Sequence, residues 1–150
     1  MKTVYSNKHQ LHSPKTELYG GRLVKPFEHP SRVDMILESI FSAHLGPVVQ
    51  PGSYGLEPVL RVHDAEFLRF LENAWPEWQE AGFEGEAMPT NWPARRMSGR
   101  CPEFIEGKVG YFAMSAETSI TAGTWEAALA SKDVALTAAS ELINDERSAF

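Results

Sequence analysis

The sequence contains very little cysteine and no long apolar run, and both absences restrict what the protein can be. Cys101 is the one cysteine in 150 residues, so no disulfide can form within the chain. Charged residues, prolines and glycines interrupt every apolar stretch before it reaches the roughly 18 residues that a membrane span needs. The opening residues 1–10 also lack the apolar segment of a signal peptide. The sequence therefore predicts a soluble protein in the reducing cytoplasm.

The chain also lacks an excess of positive charge. Its formal net charge is -6 at pH 7, and such a surface does not attract nucleic acid phosphates or an anionic membrane. We therefore expect neither nucleic acid nor a membrane as a partner. Hydrophobic residues make up 43% of the chain, which is enough to bury a core.

The common catalytic and metal-binding motifs are missing as well. No G-x-S-x-G, Walker P-loop, G-x-G-x-x-G or H-E-x-x-H is present. His9 and His12 have metal-ligand spacing, but no further ligands stand near them, so we interpret them as surface or loop-capping histidines. Cys101 has no histidine nearby in sequence, and a structural thiol is the simpler interpretation.

Apolar periodicity predicts helices separated by short strands. The strands are expected at Thr3–Ser6 and Val48–Val49, and the segment Val59–Val62 fits a strand or a helix end. Residues 7–22 are expected to form a long loop with a turn at Gly20-Gly21. The predicted helices begin at Ser31 with Asp34 as a capping partner, begin near Asp64 and stop before Gly82, and span Glu106–Thr118 and Thr124–Asn144.

This alternation predicts an α/β protein with a partial, open parallel sheet and flanking helices. The strands are too few to complete such a sheet, so we expect the chain to be part of a larger domain.

A long loop at about 83–105 has an unusual composition. Prolines and glycines break its periodicity, and arginines crowd beside apolar side chains; these residues are Met88, Trp92, Arg95, Arg96, Met97 and Arg100. Such a loop is expected to be covered, either by a partner subunit or by its own domain.

Several ordered segments of the sequence resemble one family. They are KTELYGG from Lys15, HPSR from His29, HDAEFLRFLE from His63, CPEFIEGKVGYF from Cys101 and AGTWEAAL from Ala122. Together they resemble the N-terminal region of bacterial acetylpolyamine amidohydrolases, relatives of the histone deacetylases.

The resemblance implies the fold, the chemistry and the extent of the domain. Residues 1–150 would be the N-terminal portion of a single catalytic domain of the arginase/deacetylase type, with an insertion loop at about 83–105. Such enzymes hydrolyse an acetamide with a zinc ion and a histidine pair. The resemblance places the zinc ligands and the histidine pair outside this chain, so no catalytic or metal residue is assigned here, and the segment is expected to bind no cofactor and to be inactive alone.

The resemblance also implies substrate-binding residues. Tyr19 would lie at the rim of the active-site tunnel, and Glu106 and Glu117 would face the distal amines of a polyamine. The substrate would be an acetylated polyamine or an acetyl-lysine. From spacing alone, the two glutamates also fit a solvated helix face.

Arg32 would stand beside a channel for the acetate product, although a first-turn helix arginine explains it nearly as well. The 83–105 loop is expected to form a homodimer. The alternative is a non-catalytic domain that binds a partner protein or a cationic small molecule.

Overall fold

A computed structural model of the protein describes residues 1–94, 96, 99–117, 119–144 and 147–150. The chain divides into two compact units. Unit 1 consists of residues 1–12, 28–62 and 123–150, and unit 2 of residues 13–27 and 63–122.

Unit 1 contains a small parallel sheet. Strand β1 (Thr3–Val4) pairs in parallel with strand β4 (Val48–Val49). On its other edge, β1 is flanked by the end of the chain, where Phe150 accepts a hydrogen bond from the Val4 N–H at 2.7 Å and Ala149 forms a parallel bridge with Lys2. Thr3 and Val4 are buried, as expected for a strand with neighbours on both sides. The strands predicted at Thr3 and Val48 are thus present, although each is shorter than a typical strand.

Among its described residues, unit 1 also contains three α-helices and one 3-10 helix. They are the 3-10 helix Asn7–Leu11, α1 (Ser31–Ser42), α2 (Glu57–Leu60) and α5 (Thr124–Ile143). Helix α1 begins at Ser31 as predicted, but the predicted cap is wrong: Pro30 is the N-cap residue, and the Ser31 hydroxyl bonds to His29 Nδ1 at 2.6 Å. The ambiguous Val59–Val62 segment contains the end of α2 and no strand.

The loop after β4 is fastened to α5 by polar contacts. Asp133 Oδ1 accepts a hydrogen bond from the Tyr54 N–H at 3.0 Å, Thr137 Oγ1 accepts one from the Gly52 N–H at 2.9 Å, and Lys132 Nζ donates to the Tyr54 carbonyl. Burial alone would raise the pKa of Asp133, but hydrogen bonds from Lys132 and the Tyr54 N–H, with the charge of Lys132, hold that pKa below its ordinary value. The carboxylate therefore stabilises the loop in its charged form.

The described part of unit 2 contains a hairpin and two helices. The elements are β2 (Glu17–Tyr19), β3 (Arg22–Val24), α3 (Ala65–Glu80) and α4 (Ile105–Phe112). Asp64 caps α3 by accepting the Glu66 N–H at 2.7 Å, which confirms the predicted helix start. Gly82, at φ +81°, follows the helix end in the left-handed conformation that glycine favours.

Helices α3 and α4 enclose a core of large side chains. The buried residues of this cluster are Phe70, Ala74, Trp78, Ala87, Ile105, Val109 and Ile120. Phe70 stacks on Phe112 with ring centroids 4.6 Å apart, and Trp78 stacks on Phe83 at 4.2 Å. One face of α3 is therefore buried, since Phe70, Ala74 and Trp78 all belong to this cluster.

Two sequence predictions are wrong in extent. The segment expected to be a loop over residues 7–22 contains the 3-10 helix of unit 1 and most of the hairpin of unit 2, because strands of three residues are too short to show an alternating pattern. The helix expected over Glu106–Thr118 ends at Phe112. Its continuation fails because Ala113 adopts an extended backbone and the Ser115 hydroxyl accepts the Glu117 N–H at 3.1 Å in a local turn.

The segment Phe83–Phe104 forms no helix or strand among its described residues, as predicted, apart from one antiparallel bridge between Ala87 and Ile120. Arg95 and Met97, which figured in the sequence prediction for this loop, lie outside the described residues. Over the described parts of the chain, no helix is both long and apolar enough to cross a membrane.

Candidate functional site

Tyr19 stands at the tip of the β2–β3 hairpin. It pairs with Arg22 across a two-residue turn, and the turn residues Gly20 and Gly21 both have positive φ, at +55° and +76°. Two such residues in succession give the turn type that suits the twist of a hairpin. The Tyr19 side chain is 59% exposed, and its ring meets Phe27 edge to face at 5.4 Å. The structure therefore presents a tyrosine to solvent from a defined turn.

The base of this hairpin is held by two carboxylates. Glu17 Oε2 accepts the Phe27 N–H at 3.2 Å and closes the far end of the hairpin. Glu86 accepts hydrogen bonds from the Lys15 N–H, from the Thr16 N–H at 3.3 Å and from the Thr16 hydroxyl at 3.1 Å. The chain entering the hairpin is thus fixed by a side chain far away in sequence.

Glu117 lies in an exposed turn after α4. Shortly after this turn, Ile120 exchanges two 3.0 Å backbone hydrogen bonds with Ala87, and the buried Ser119 donates to the Thr16 carbonyl at 3.3 Å. The turn that carries Glu117 is therefore tied to the chain that leads into the Tyr19 hairpin. The arrangement predicted from sequence, with Glu106 and Glu117 on one helix, is wrong because α4 ends at Phe112.

Glu106 lies in the first turn of α4 and lines a cleft of about 390 Å³ in unit 2. The acidic members of the lining are Glu77, Glu80, Glu103 and Glu106, and the others are Ala81, Phe83, Phe104 and Ile105. Lys108 Nζ forms an ion pair with Glu77 at 2.7 Å, and the described residues show no ion pair at the other three carboxylates of the cleft. Because Glu106 lies in the first turn of α4, its carboxylate also stabilises the start of that helix. The cleft combines negative charge with apolar walls, a combination that suits an alkyl amine.

The structure brings the predicted residues together only in part. Tyr19, Glu106 and Glu117 all belong to unit 2, but the described lining of the acidic cleft includes Glu106 without Tyr19 or Glu117. Arg32 belongs to unit 1. There it forms an ion pair with Glu28, four residues earlier and before the start of α1, and contributes to a largely apolar groove of about 390 Å³. Its role beside a product channel stays a prediction.

His9 and His12, the two histidines at metal-ligand spacing, contact other parts of unit 1. His9 Nδ1 lies 2.8 Å from the Ser6 carbonyl oxygen, and His12 Nδ1 lies 2.9 Å from the Thr124 hydroxyl at the start of α5. Among the described residues, no three His, Cys, Asp or Glu side chains come together in a group that could hold a metal ion. The residues that the structure describes thus do not form the zinc site that the resemblance implies for the whole enzyme.

Cys101 is partly buried. Burial raises the pKa of its thiol above the ordinary value, and the neighbouring charge of Glu66 adds to the rise. A raised pKa disfavours the reactive thiolate, which agrees with a structural role.

Comparison with known proteins identifies relatives along the entire chain. No family model matches the sequence. The chain is 49% identical over 150 residues to an acetylpolyamine amidohydrolase of Mycoplana ramosa. It is 45% identical over 150 residues to acetylpolyamine amidohydrolase 2 of Pseudomonas aeruginosa. Each match covers 100% of this chain, and the chain spans about 44% of the length of these curated relatives.

A solved structure shares the fold. The crystal structure of an acetylpolyamine aminohydrolase from Burkholderia pseudomallei, from an iodide soak, superposes with a TM-score of 0.87 and 28% sequence identity, covering 97% of this chain and 42% of that one. The predicted α/β fold of the arginase/deacetylase type is confirmed by this match. The family resemblance predicted from KTELYGG and the other segments is confirmed as well.

Proposed function

Because the chain is similar over its whole length to acetylpolyamine amidohydrolases, we propose that it supplies the substrate-recognition part of an amidohydrolase. The reaction is removal of the acetyl group from an acetylated polyamine or an acetyl-lysine side chain. The observation that carries the proposal is the acidic cleft around Glu106, found on a chain whose relatives are named for acetylpolyamines. The reaction itself requires groups that the resemblance places outside these 150 residues.

The substrate chemistry explains why carboxylates stand on this part of the protein. An acetylated polyamine carries a neutral amide at one end and ammonium groups further along its alkyl chain. Each ammonium gains about 1 kcal/mol from a carboxylate 4 Å away in bulk water and about 4 kcal/mol at the effective dielectric constant near a protein surface. Glu106 and Glu117 therefore select the cationic end of the substrate, and the exposed Tyr19 contacts its chain at the tunnel rim.

Zinc is part of the proposal for the whole enzyme. Bound zinc would polarise the acyl carbonyl and activate a water molecule. The resemblance assigns its ligands to residues outside this chain, which accordingly would be inactive alone. A metal analysis of the longest natural form of the protein tests this point, with about one zinc per polypeptide expected.

Replacing the two glutamates separately tests their role in substrate binding. Glu106→Gln and Glu117→Gln should each lower kcat/KM for a monoacetylated diamine by about tenfold, the factor that corresponds to roughly 1.4 kcal/mol of lost attraction. An acetyl-lysine peptide without a distal amine should be affected much less. The matched control is Glu84→Gln, which removes an exposed carboxylate that does not line the cleft. An equal loss for both substrates would contradict the assignment.

A homodimer formed through the 83–105 loop is a further part of the proposal. Exposed apolar side chains on and beside this loop support it: Phe104 is 78% exposed and Met114 is fully exposed. Trp92 is also exposed, and its Nε1–H donates to the Ala113 carbonyl at 3.2 Å, which holds the indole beside Met114. Exposed apolar patches mark interfaces in many proteins, and these side chains would supply one here.

The Trp92→Ser/Phe104→Ser double variant should be monomeric by light scattering if the loop forms the dimer. Val62→Ser provides the control, because Val62 is 78% exposed but lies outside the loop and in unit 1. A dimer that survives the double substitution would exclude the loop as the interface.

The single cysteine supports a cytoplasmic location for the protein, and cell fractionation tests it.

A non-catalytic domain that binds a cationic small molecule is the alternative function, and the acidic cleft favours it over a protein partner. Polyamine binding by the longest natural form without hydrolysis of any acetylated amine would establish the alternative.

A further inference from the structure

Glu86 makes an unusual set of contacts in unit 2. Its carboxylate accepts the backbone N–H of Lys15, the backbone N–H of Thr16 at 3.3 Å and the Thr16 hydroxyl at 3.1 Å. These donors are about 70 residues away along the chain. Backbone N–H groups in an irregular segment need acceptors, and hydrogen bonds to a charged acceptor are about twice as strong as those between neutral groups. Glu86 therefore fixes the chain just before the Tyr19 hairpin.

The same segment is fixed from a second direction. The Thr16 carbonyl accepts a hydrogen bond from Ser119 Oγ at 3.3 Å, and Ser119 is buried. The residue after Glu86, Ala87, is fully buried and bonds to Ile120 through both its N–H and its carbonyl at 3.0 Å. The Ala87–Ile120 bridge thus connects the segment that contains Glu86 with the segment that follows the Glu117 turn.

We propose that Glu86 is a positioning residue for substrate binding, which holds the Tyr19 hairpin in a fixed place with respect to the Glu117 turn. The inference rests on the proposed function, since it requires Tyr19 and Glu117 to contact the substrate. Tyr19 follows Thr16 by three residues, and Glu117 precedes Ser119 by two. A shift of Thr16 would therefore change the position of Tyr19 relative to Glu117.

The chemistry of the contacts predicts how substitutions at this position rank. Alanine removes all the acceptors and leaves the N–H groups of Lys15 and Thr16 without this partner. Glutamine keeps one acceptor oxygen, but its NH₂ group cannot accept a hydrogen bond. Glu86→Ala should therefore lose all the hydrogen bonds that Glu86 accepts, and Glu86→Gln should lose only some of them. Glu84 lies on the same loop and is exposed, so Glu84→Ala is the matched control.

The test is made on the longest natural form of the protein with a monoacetylated diamine. Glu86→Ala should raise KM on the order of tenfold, as expected for losing hydrogen bonds to a charged group, with kcat changed less than twofold, because the reacting groups lie elsewhere. Hydrogen–deuterium exchange should speed up at residues 15–24 and stay unchanged in α3. Glu86→Gln should fall between wild type and Glu86→Ala on both measures, and Glu84→Ala should match the wild type.

A double-mutant cycle with Tyr19→Ala separates this inference from the proposed function. If Glu86 acts through the hairpin, its effect on KM should largely disappear once Tyr19 is truncated. Equal effects with and without Tyr19 would overturn the positioning role, as would faster exchange at residues 15–24 with no change in KM. If Tyr19→Ala itself leaves KM unchanged, the substrate role of the hairpin fails and this inference fails with it. The exchange data then report separately whether Glu86 holds the hairpin.

Discussion

The two units of the chain are stabilised in different ways. Unit 2 has large aromatic side chains at its core, such as Phe70 and Trp78, packed between α3 and α4. In unit 1 the buried apolar residues are fewer and smaller; those described are Val4, Ile40, Ala127 and Ala130. There, a short parallel pairing and side-chain bonds to the backbone, as in the loop held by Asp133, accompany this smaller core. Packing of large side chains is therefore expected to contribute more to the stability of unit 2 than to that of unit 1.

The largest expected effect comes from removing the central aromatic of unit 2. Trp78 is 8% exposed, stacks on Phe83 and donates from Nε1 to the Gly85 carbonyl at 3.2 Å. Trp78→Ala should lower the free energy of local opening of α3 by about 3–5 kcal/mol, because it leaves a cavity and an unpaired carbonyl. Native-state hydrogen exchange of the α3 amides measures this free energy directly.

The matched substitution in unit 1 is Phe41→Ala in α1. Phe41 is 59% exposed, so its removal should change the opening free energy of α1 by about 0.5 kcal/mol or less. If both substitutions lowered the free energy of local opening by the same amount, the proposed difference in packing between unit 2 and unit 1 would be wrong.

The sequence predicted the extent of α3 and α5 well because their signals are local. Asp64 and Gly82 mark the two ends of α3 with residue types that suit those positions, and apolar residues recur on one face from Phe67 to Trp78, about three turns. The hairpin of unit 2 gave no such signal, because each of its strands has three residues.

The candidate site was predictable only as far as the resemblance reached. Tyr19, Glu106 and Glu117 came from matching segments, whereas Glu86 has no distinguishing mark in the sequence. Its donors at Lys15 and Thr16 are about 70 residues away, and no spacing rule connects positions so far apart. Similarly, the early end of α4 depends on the Ser115 hydroxyl accepting the Glu117 N–H, a contact that competes with a helical pattern that otherwise continues.

A close backbone approach in unit 2 provides the next test. Gly110 is buried within α4, and a Cβ added there would overlap the carbonyl oxygen of Asn91 in the 83–105 loop. Gly110→Ala should therefore push the loop from the helix and lower the free energy of unfolding by about 1–3 kcal/mol, the usual cost of overpacking. Limited proteolysis should show faster cleavage within the loop.

Gly99→Ala is the control for this effect. Gly99 lies in the same loop, has no left-handed backbone, and a Cβ added there meets nothing within 4 Å. It should leave both proteolysis and stability unchanged or slightly improved, since alanine reduces the freedom of the unfolded chain. Equal cleavage rates for the two variants would mean that packing of the loop on α4 does not stabilise unit 2.

A further substitution tests the polar contacts of unit 1. The pKa of Asp133 lies below its ordinary value because hydrogen bonds from Lys132 and the Tyr54 N–H, with the charge of Lys132, outweigh the effect of burial. A group with a lowered folded pKa stabilises the folded state fully above its unfolded pKa of about 3.9, and this stabilisation is lost as the pH falls through the folded value. Asp133→Asn should therefore be less stable than wild type at neutral pH by about 1 kcal/mol.

Urea unfolding between pH 7 and pH 3 measures how this difference changes. Asparagine keeps an acceptor for the Tyr54 N–H, so the difference isolates the charge of Asp133, and it should be constant above pH ~5 and shrink as the pH falls below ~4. Glu126→Gln, an exposed carboxylate on the same helix, should show no comparable dependence. If the difference stayed constant down to pH 3, the loop after β4 would be stabilised by the shape of the residue 133 side chain and not by its charge. Unit 1 would then depend on packing in the same way as unit 2.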